Sequence, residues 1–228
     1  MRMERNKISR KGEDEASWIF DEIGQITQSA EIVKESFRKL ELSDALVREV
    51  IQNSLDARLS GATLKVLFSF NKIENEFVYG YLKTLMDHLE AEKYPRGGPV
   101  LPEELISEVK TSQIVNVLCI EDLGTTGLDG DIMSLESNYG AFFRGEGISN
   151  KEGTKGGRWG QGKTTLNMAS KIKAFWGLTR RHSDSLEYLM GKALLYPHTS
   201  RGKHYVTSGL YTKPKSIPIS DPAVLKEF

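Results

Sequence analysis

A single cysteine, Cys119, leaves this 228-residue chain without an intrachain disulfide. A reducing compartment fits that usage. A lone Cys in the apolar run Ile114–Ile120 is expected to act as a small buried hydrophobe. No apolar run approaches the roughly 20 residues of a membrane span, and the charged N-terminus lacks the apolar core of a secretion signal. The expectation is a cytoplasmic protein without membrane contact. Neither sign of charge prevails: Lys+Arg and Asp+Glu both number 31. That excludes a globally basic nucleic-acid binder but leaves a local basic patch open. Histidines number only 4, and His182, His198 and His204 show no metal-ligand spacing. His88, in Asp87-His88-Leu89-Glu90, reads as an exposed helix residue. Internal repeats are absent.

What is present describes an ordinary globular protein, with 39% hydrophobic and 27% charged residues. The length suits one large domain. Residues 1–15 are polar and charged and read as a tail. Ala16–Ile26 carries Trp18, Ile19, Phe20 and Ile23, a segment that docks on the core or on a partner subunit. Ser29 is placed to cap a helix reaching about Leu40. Ser43 is placed to cap a second helix, Asp44–Ser60, with Gly61 ending it. Ala62–Phe70 alternates as a strand does. Residues 71–113 read as a separate insertion, with helices over Phe77–Glu92 and Pro102–Val109. Ile114–Ile120 reads as a central strand buried on both faces. A helix follows over Asp131–Phe143.

Residues 144–162 hold seven glycines and the cations Arg144, Lys151, Lys155 and Arg158, a long loop of the kind kept for function. Lys163–Lys171 returns to helix. Ile172–Thr179, Leu186–Leu195 and Tyr205–Tyr211 read as strands, and the proline-spaced segment from Pro214 reads as peripheral. This order predicts an α+β two-layer sandwich: a mixed, mainly antiparallel sheet with helices on one face.

Three stretches carry chemistry. In the first, Glu49, Asn53 and Asp56 recur at i, i+4 and i+7, so a helix presents them on one narrow polar face. Val47, Val50, Ile51 and Leu55 cover the opposite side and are expected to pack on the core. A carboxylate in such a stripe accepts a proton from water, and an amide oxygen ligates Mg²⁺. In the second, Asp122-Leu123-Gly124-Thr125-Thr126-Gly127 leaves a strand directly. The carboxylate there accepts from an exocyclic amine, and the glycines admit a ligand to the backbone. The third, Gly157-Arg158-Trp159-Gly160-Gln161-Gly162-Lys163-Thr164-Thr165, opens a helix with a glycine-rich loop. Free backbone N–H groups, the helix dipole and Lys163 make an anion site. Gly157 to Thr164 also satisfies the P-loop spacing, but a P-loop follows an apolar strand, and Gly145–Gly156 is polar and glycine-rich.

Together and in this order, the three stretches resemble the GHKL ATPases, the superfamily of gyrase B, the ninety-kilodalton heat-shock chaperone, histidine kinases and MutL. Glu49-xxx-Asn53-Ser54-Leu55-Asp56-Ala57, followed by Gly61-Ala62-Thr63, is similar to the family's N-box. Asp122-x-Gly124-Thr125-Thr126-Gly127 is similar to its adenine motif, with one extra residue between the glycines. Gly157-x-x-Gly160-x-Gly162 matches its lid-closing pattern. The style is nearest to MutL- and MORC-like bacterial ATPases, which act on DNA, and to multidomain ATPases resembling phage-defence components.

The resemblance covers roughly residues 40–212 and implies a Bergerat fold that holds ATP between the N-box helix and a lid at 144–162. It implies that Glu49 polarises the attacking water, Asn53 holds Mg²⁺ and Asp56 supports the nucleotide-side network. Asp122 would bind the adenine amine, with Gly124 and Gly127 beside it. Gly157, Gly160, Gln161, Gly162, Lys163 and Thr164 would hold the phosphates. A late-strand Thr, either Thr207 or Thr212, would complete the adenine site. The intact Glu49 disfavours a histidine kinase. The implied activity is slow, Mg²⁺-dependent ATP hydrolysis driving lid closure and homodimerisation, with DNA or a protein subunit as further partner. The alternative is a nucleotide-sensing module that binds ATP without turnover. The transducer lysine of MutL- and gyrase-like relatives has no counterpart here. That suggests a truncated chain, with residues 213–228 as an extension, or a subunit completed by another domain.

Overall fold

The computed structural model describes residues 15–23, 42–94, 97–145 and 161–228, with side chains from Thr164 onward in the last stretch. Among the described residues, two antiparallel sheets and six helices make an α+β arrangement. The strands are β1 (Ser17–Glu22), β2 (Lys65–Glu74), β3 (Ile114–Leu123), β4 (Ala174–Arg180), β5 (Glu187–Leu194), β6 (His198–Ser200) and β7 (Lys203–Thr212). The helices are α1 (Leu42–Asp56), α2 (Asn75–Ala91), α3 (Glu103–Thr111), α4 (Asn138–Phe143), α5 (Gln161–Ala169) and α6 (Pro222–Leu225). The larger sheet runs β1-β7-β5-β4, with β6 paired to β7, and the second is the β2–β3 ribbon. All of these pairings are antiparallel. The helix expected over residues 29–40 and most of the glycine-rich loop lie outside the described residues.

The core sits between the larger sheet and α2. Tyr81, Leu82, Leu85, Met86 and Leu89 repeat at helical spacing and bury one face of α2. They meet Trp18, Leu189, Ala193 and Tyr211 from the sheet, and Leu101 and Val109 from the α3 region. The stretch read as a separate insertion therefore supplies much of the main core. Its first residues, 71–74, belong to β2 instead, which pairs with β3 from Lys65↔Leu123 to Glu74↔Ile114.

β1 is a strand, and it docks on its own chain: Ser17 pairs with Thr212 and Phe20 with Gly209. The segment after Pro214 is not peripheral. Ile219 is buried and exchanges backbone hydrogen bonds with Leu189, both 2.9 Å. Leu225 is buried as well, and the Tyr81 hydroxyl donates to the Glu227 carboxylate.

Three further expectations are corrected. β3 is not a central strand buried on both faces. Its one neighbour among the described strands is β2, no residue along it is buried, and Cys119 is exposed. An apolar run buries both faces only when something covers both, and a two-stranded ribbon supplies no such cover by itself. The helix expected over Asp131–Phe143 forms only at Asn138–Phe143. Ser137 caps it by accepting from the Gly140 N–H at 2.9 Å, so the chain before Ser137 turns instead of coiling. His88 is not an exposed helix residue: it is half-buried and hydrogen-bonded to His198.

Candidate functional site

Helix α1 is the floor of the candidate site, and most of the apolar stripe expected to pack on the core is exposed. Ala45, Leu46 and Ser54 are buried, whereas the apolar stripe Val47, Ile51 and Leu55 is 40–53% exposed. The side carrying Ser54 is tied down by one hydrogen bond: the Ser54 hydroxyl donates to Asp122 Oδ2 at 2.9 Å, and the Val50 carbonyl lies at 3.0 Å. One hydroxyl proton serves both, and the charged acceptor is the stronger partner. Glu49 is half-buried, with Arg48 Nη2 3.6 Å from its carboxylate. That pair joins an exposed arginine to its half-buried neighbour at the surface and is worth about 0–1 kcal/mol. Asn53 and Asp56 are exposed. Asn53 makes no side-chain hydrogen bond among the described residues, and Asp56 is engaged.

The Asp122 turn closes directly on the end of this helix. Leu59 N–H donates to the Gly124 carbonyl at 2.9 Å, and Thr126 N–H to the Ala57 carbonyl at 2.8 Å. The Thr125 hydroxyl donates to Asp122 Oδ1 at 3.2 Å. The two glycines are required here. Gly124 has φ +82, and a Cβ on it would lie 2.4 Å from the Thr63 carbonyl oxygen; Gly127 has φ +68, and its Cβ would lie 2.4 Å from the Arg180 carbonyl oxygen. L-residues pay for positive φ, and here the backbone leaves no room either.

Thr179 is the residue that the sequence reading missed. It is buried on β4, and its hydroxyl accepts from the Leu128 N–H at 2.9 Å, while His182 N–H donates to the Thr126 carbonyl at 2.9 Å. The end of β4 thus holds the Asp122 turn from the side away from α1. Thr207 and Thr212, the expected late-strand threonines, are buried on β7, which β5 separates from β4. A hydroxyl inside the apolar strand Ala174–Arg180 is the one local signal for Thr179, and spacing alone does not select it.

Helix α5, which carries the end of the third motif, packs against α1. Asn167 fixes α5 to the sheet: it is fully buried and its amide donates to the Lys173 and Lys192 carbonyls at 2.9 and 3.0 Å. Thr164 is half-buried and engaged. Gly157 and Gly160 lie outside the described residues, and the side chains of Gln161 and Lys163 and the surroundings of Gly162 are likewise not described.

The ensemble is a carboxylate (Asp122) held at both oxygens, an exposed helix stripe carrying Asn53, and a second helix packed on the first. A carboxylate offers about four acceptor positions, so two hydroxyl donors leave Asp122 able to accept from an amine. Among known proteins, no family model, curated protein or solved structure matches this chain.

Proposed function

We propose that this chain binds Mg²⁺-ATP between α1, the Asp122 turn and the start of α5, and hydrolyses it in the manner of the GHKL ATPases with a Bergerat fold. The observation that carries this reading is the Ser54–Asp122 hydrogen bond. It joins two of the three motifs, which lie 68 residues apart in the chain, and α5, which carries the end of the third, packs on α1. A solvated polar stripe and an ordinary Asx turn have no reason to meet in this way.

The residues present fit the ligand. Asp122 retains acceptor capacity for an adenine amine, and the close packing at Gly124 and Gly127 fixes the turn that presents it. Asn53 offers an amide oxygen to Mg²⁺, whose remaining positions would be filled by phosphate oxygens and water. Bound ATP supplies the phosphoryl group and the charge that phosphoryl transfer must stabilise. Glu49, one turn before Asn53, is placed to orient a water molecule and take its proton. In this reading, ATP binding drives association of two copies and hydrolysis resets them.

The test is a pair of substitutions measured for binding and turnover separately. Glu49→Ala is expected to keep ATP affinity within about threefold and to lower hydrolysis by at least about a hundredfold, the range of a lost general base. Asn53→Ala is expected to lose Mg²⁺-dependent ATP binding. Equal loss of binding in both variants, or full turnover in Glu49→Ala, would overturn the assignment.

A further inference from the structure

A second constellation lies where α2, β6 and β1 meet. His88 Nδ1 and His198 Nε2 are 2.8 Å apart, and His198 Nδ1 is 2.8 Å from the Tyr196 carbonyl oxygen. A carbonyl only accepts, so His198 carries its proton on Nδ1 and presents Nε2 as an acceptor. His88 must then donate from Nδ1. Two neutral rings satisfy every contact.

The β1 arm rests on this pair. The Phe20 ring stacks on His88 at 4.3 Å between centroids and meets His198 edge-on at 5.3 Å. Tyr205 lies 4.8 Å from His88. The Phe20 ring also lies directly on Gly209, where a Cβ would come within 2.3 Å of it.

We propose that the His88–His198 pair is a proton-operated latch, holding the β1 arm on the body while the rings share a hydrogen bond and releasing it when both rings are protonated. A first proton leaves one ring donating to the other, whereas a second puts N–H on both His88 Nδ1 and His198 Nε2 and sets two donors against each other. The two charges would then repel beside the buried Phe20 ring and the half-buried Tyr205 ring.

The charged surroundings do not offset those charges. Asp87 on α2 favours a cation, but Arg201, in the β6–β7 turn, pairs with it. On β1, Asp21 and Glu22 are exposed, and Glu22 bonds Lys203 at 2.6 Å. His204 on β7 is engaged with Thr199 at 2.7 Å. Glu92 faces Lys173 and the Tyr196 N–H. Burial first, then His198, push His88 down to about 4 from 6.5, with Arg201 acting the same way and Asp87 opposing. Burial lowers His198 too, against the Tyr196 carbonyl. A lowered folded-state value means that the released state binds more protons in this window. The latch therefore contributes fully above pH 6.5 and is lost as pH falls toward about 4.

Amide hydrogen exchange of the full chain tests this, corrected for intrinsic rates. Protection over residues 17–22 is expected to fall at least about tenfold between neutral pH and about pH 4.5, while residues 189–194 stay protected. His88→Phe, which keeps a ring on Phe20 without a titrating group, is expected to flatten the dependence, and Glu92→Gln to leave it unchanged. Constant protection in the wild type, an unaltered dependence in His88→Phe, or flattening by Glu92→Gln would each overturn the latch. If His88→Phe fails to fold, imidazole proton shifts of the wild type decide: a midpoint shared with the arm supports the latch, and one more than about a unit away overturns it.

Discussion

Asp122 illustrates how single side chains set this site. Its two oxygens are held by Ser54 and Thr125, and the turn after it is fixed by backbone hydrogen bonds to Ala57, Leu59 and His182. Gly124 lies at the centre of that closure. Gly61 also has positive φ, at +77, but a Cβ there meets nothing within 4 Å. Gly61→Ala therefore bears only the conformational cost, about 1 kcal/mol. Gly124→Ala bears that cost plus an encounter with the Thr63 carbonyl, about 2–4 kcal/mol in all. Chemical denaturation of both variants checks the ordering; equal losses would mean that the Asp122 turn relaxes freely.

Elements are joined here by buried polar contacts as much as by apolar ones. Glu92, at the end of α2, is fully buried with its Oε1 3.4 Å from Lys173 Nζ, just before β4. The same oxygen accepts the Tyr196 N–H at 2.7 Å, and Oε2 has no hydrogen-bond partner among the described residues. Burial raises the Glu92 carboxyl and lowers the Lys173 ammonium, each opposed by the other's charge. Desolvation outweighs attraction, so the pair specifies where α2 meets β4 more than it stabilises the contact. Glu92→Leu or Lys173→Met alone is expected to cost about 3–5 kcal/mol, the range for removing one partner of a buried ion pair, and the double variant much less. A double-mutant cycle by urea unfolding measures this; additive losses would refute it.

At the scale of the whole molecule, one core joins both ends of the described chain. Trp18 from β1, α2, β5 and the segment from Ile217 onward meet in it. Ile219 is 1% exposed and bridges Leu189. Ile219→Ala is expected to cost about 2–5 kcal/mol, the range for a buried aliphatic truncation. A thermal midpoint within a degree or two of wild type would mean that the segment is dispensable.

Local pattern in the sequence determined most elements. The stripe Tyr81, Leu82, Leu85, Met86 and Leu89 called for a helix, and the apolar strands after residue 172 were legible within a few residues. It also brought out Glu49, Asn53, Asp122 and the glycines, because short-range chemistry leaves a short-range spacing. Only the tertiary structure decided which faces these elements turn inward. Val47, Ile51 and Leu55 look like a core face and are exposed, since the Ser54–Asp122 bond and the packing on α5 orient α1. Ile114–Ile120 looks like a central strand and forms half of a ribbon. Thr179, His88 and Glu92 find their partners 51, 110 and 81 residues away. Periodicity reports the contrast between two faces of one element. Which face is covered depends on a neighbour that the local pattern does not name.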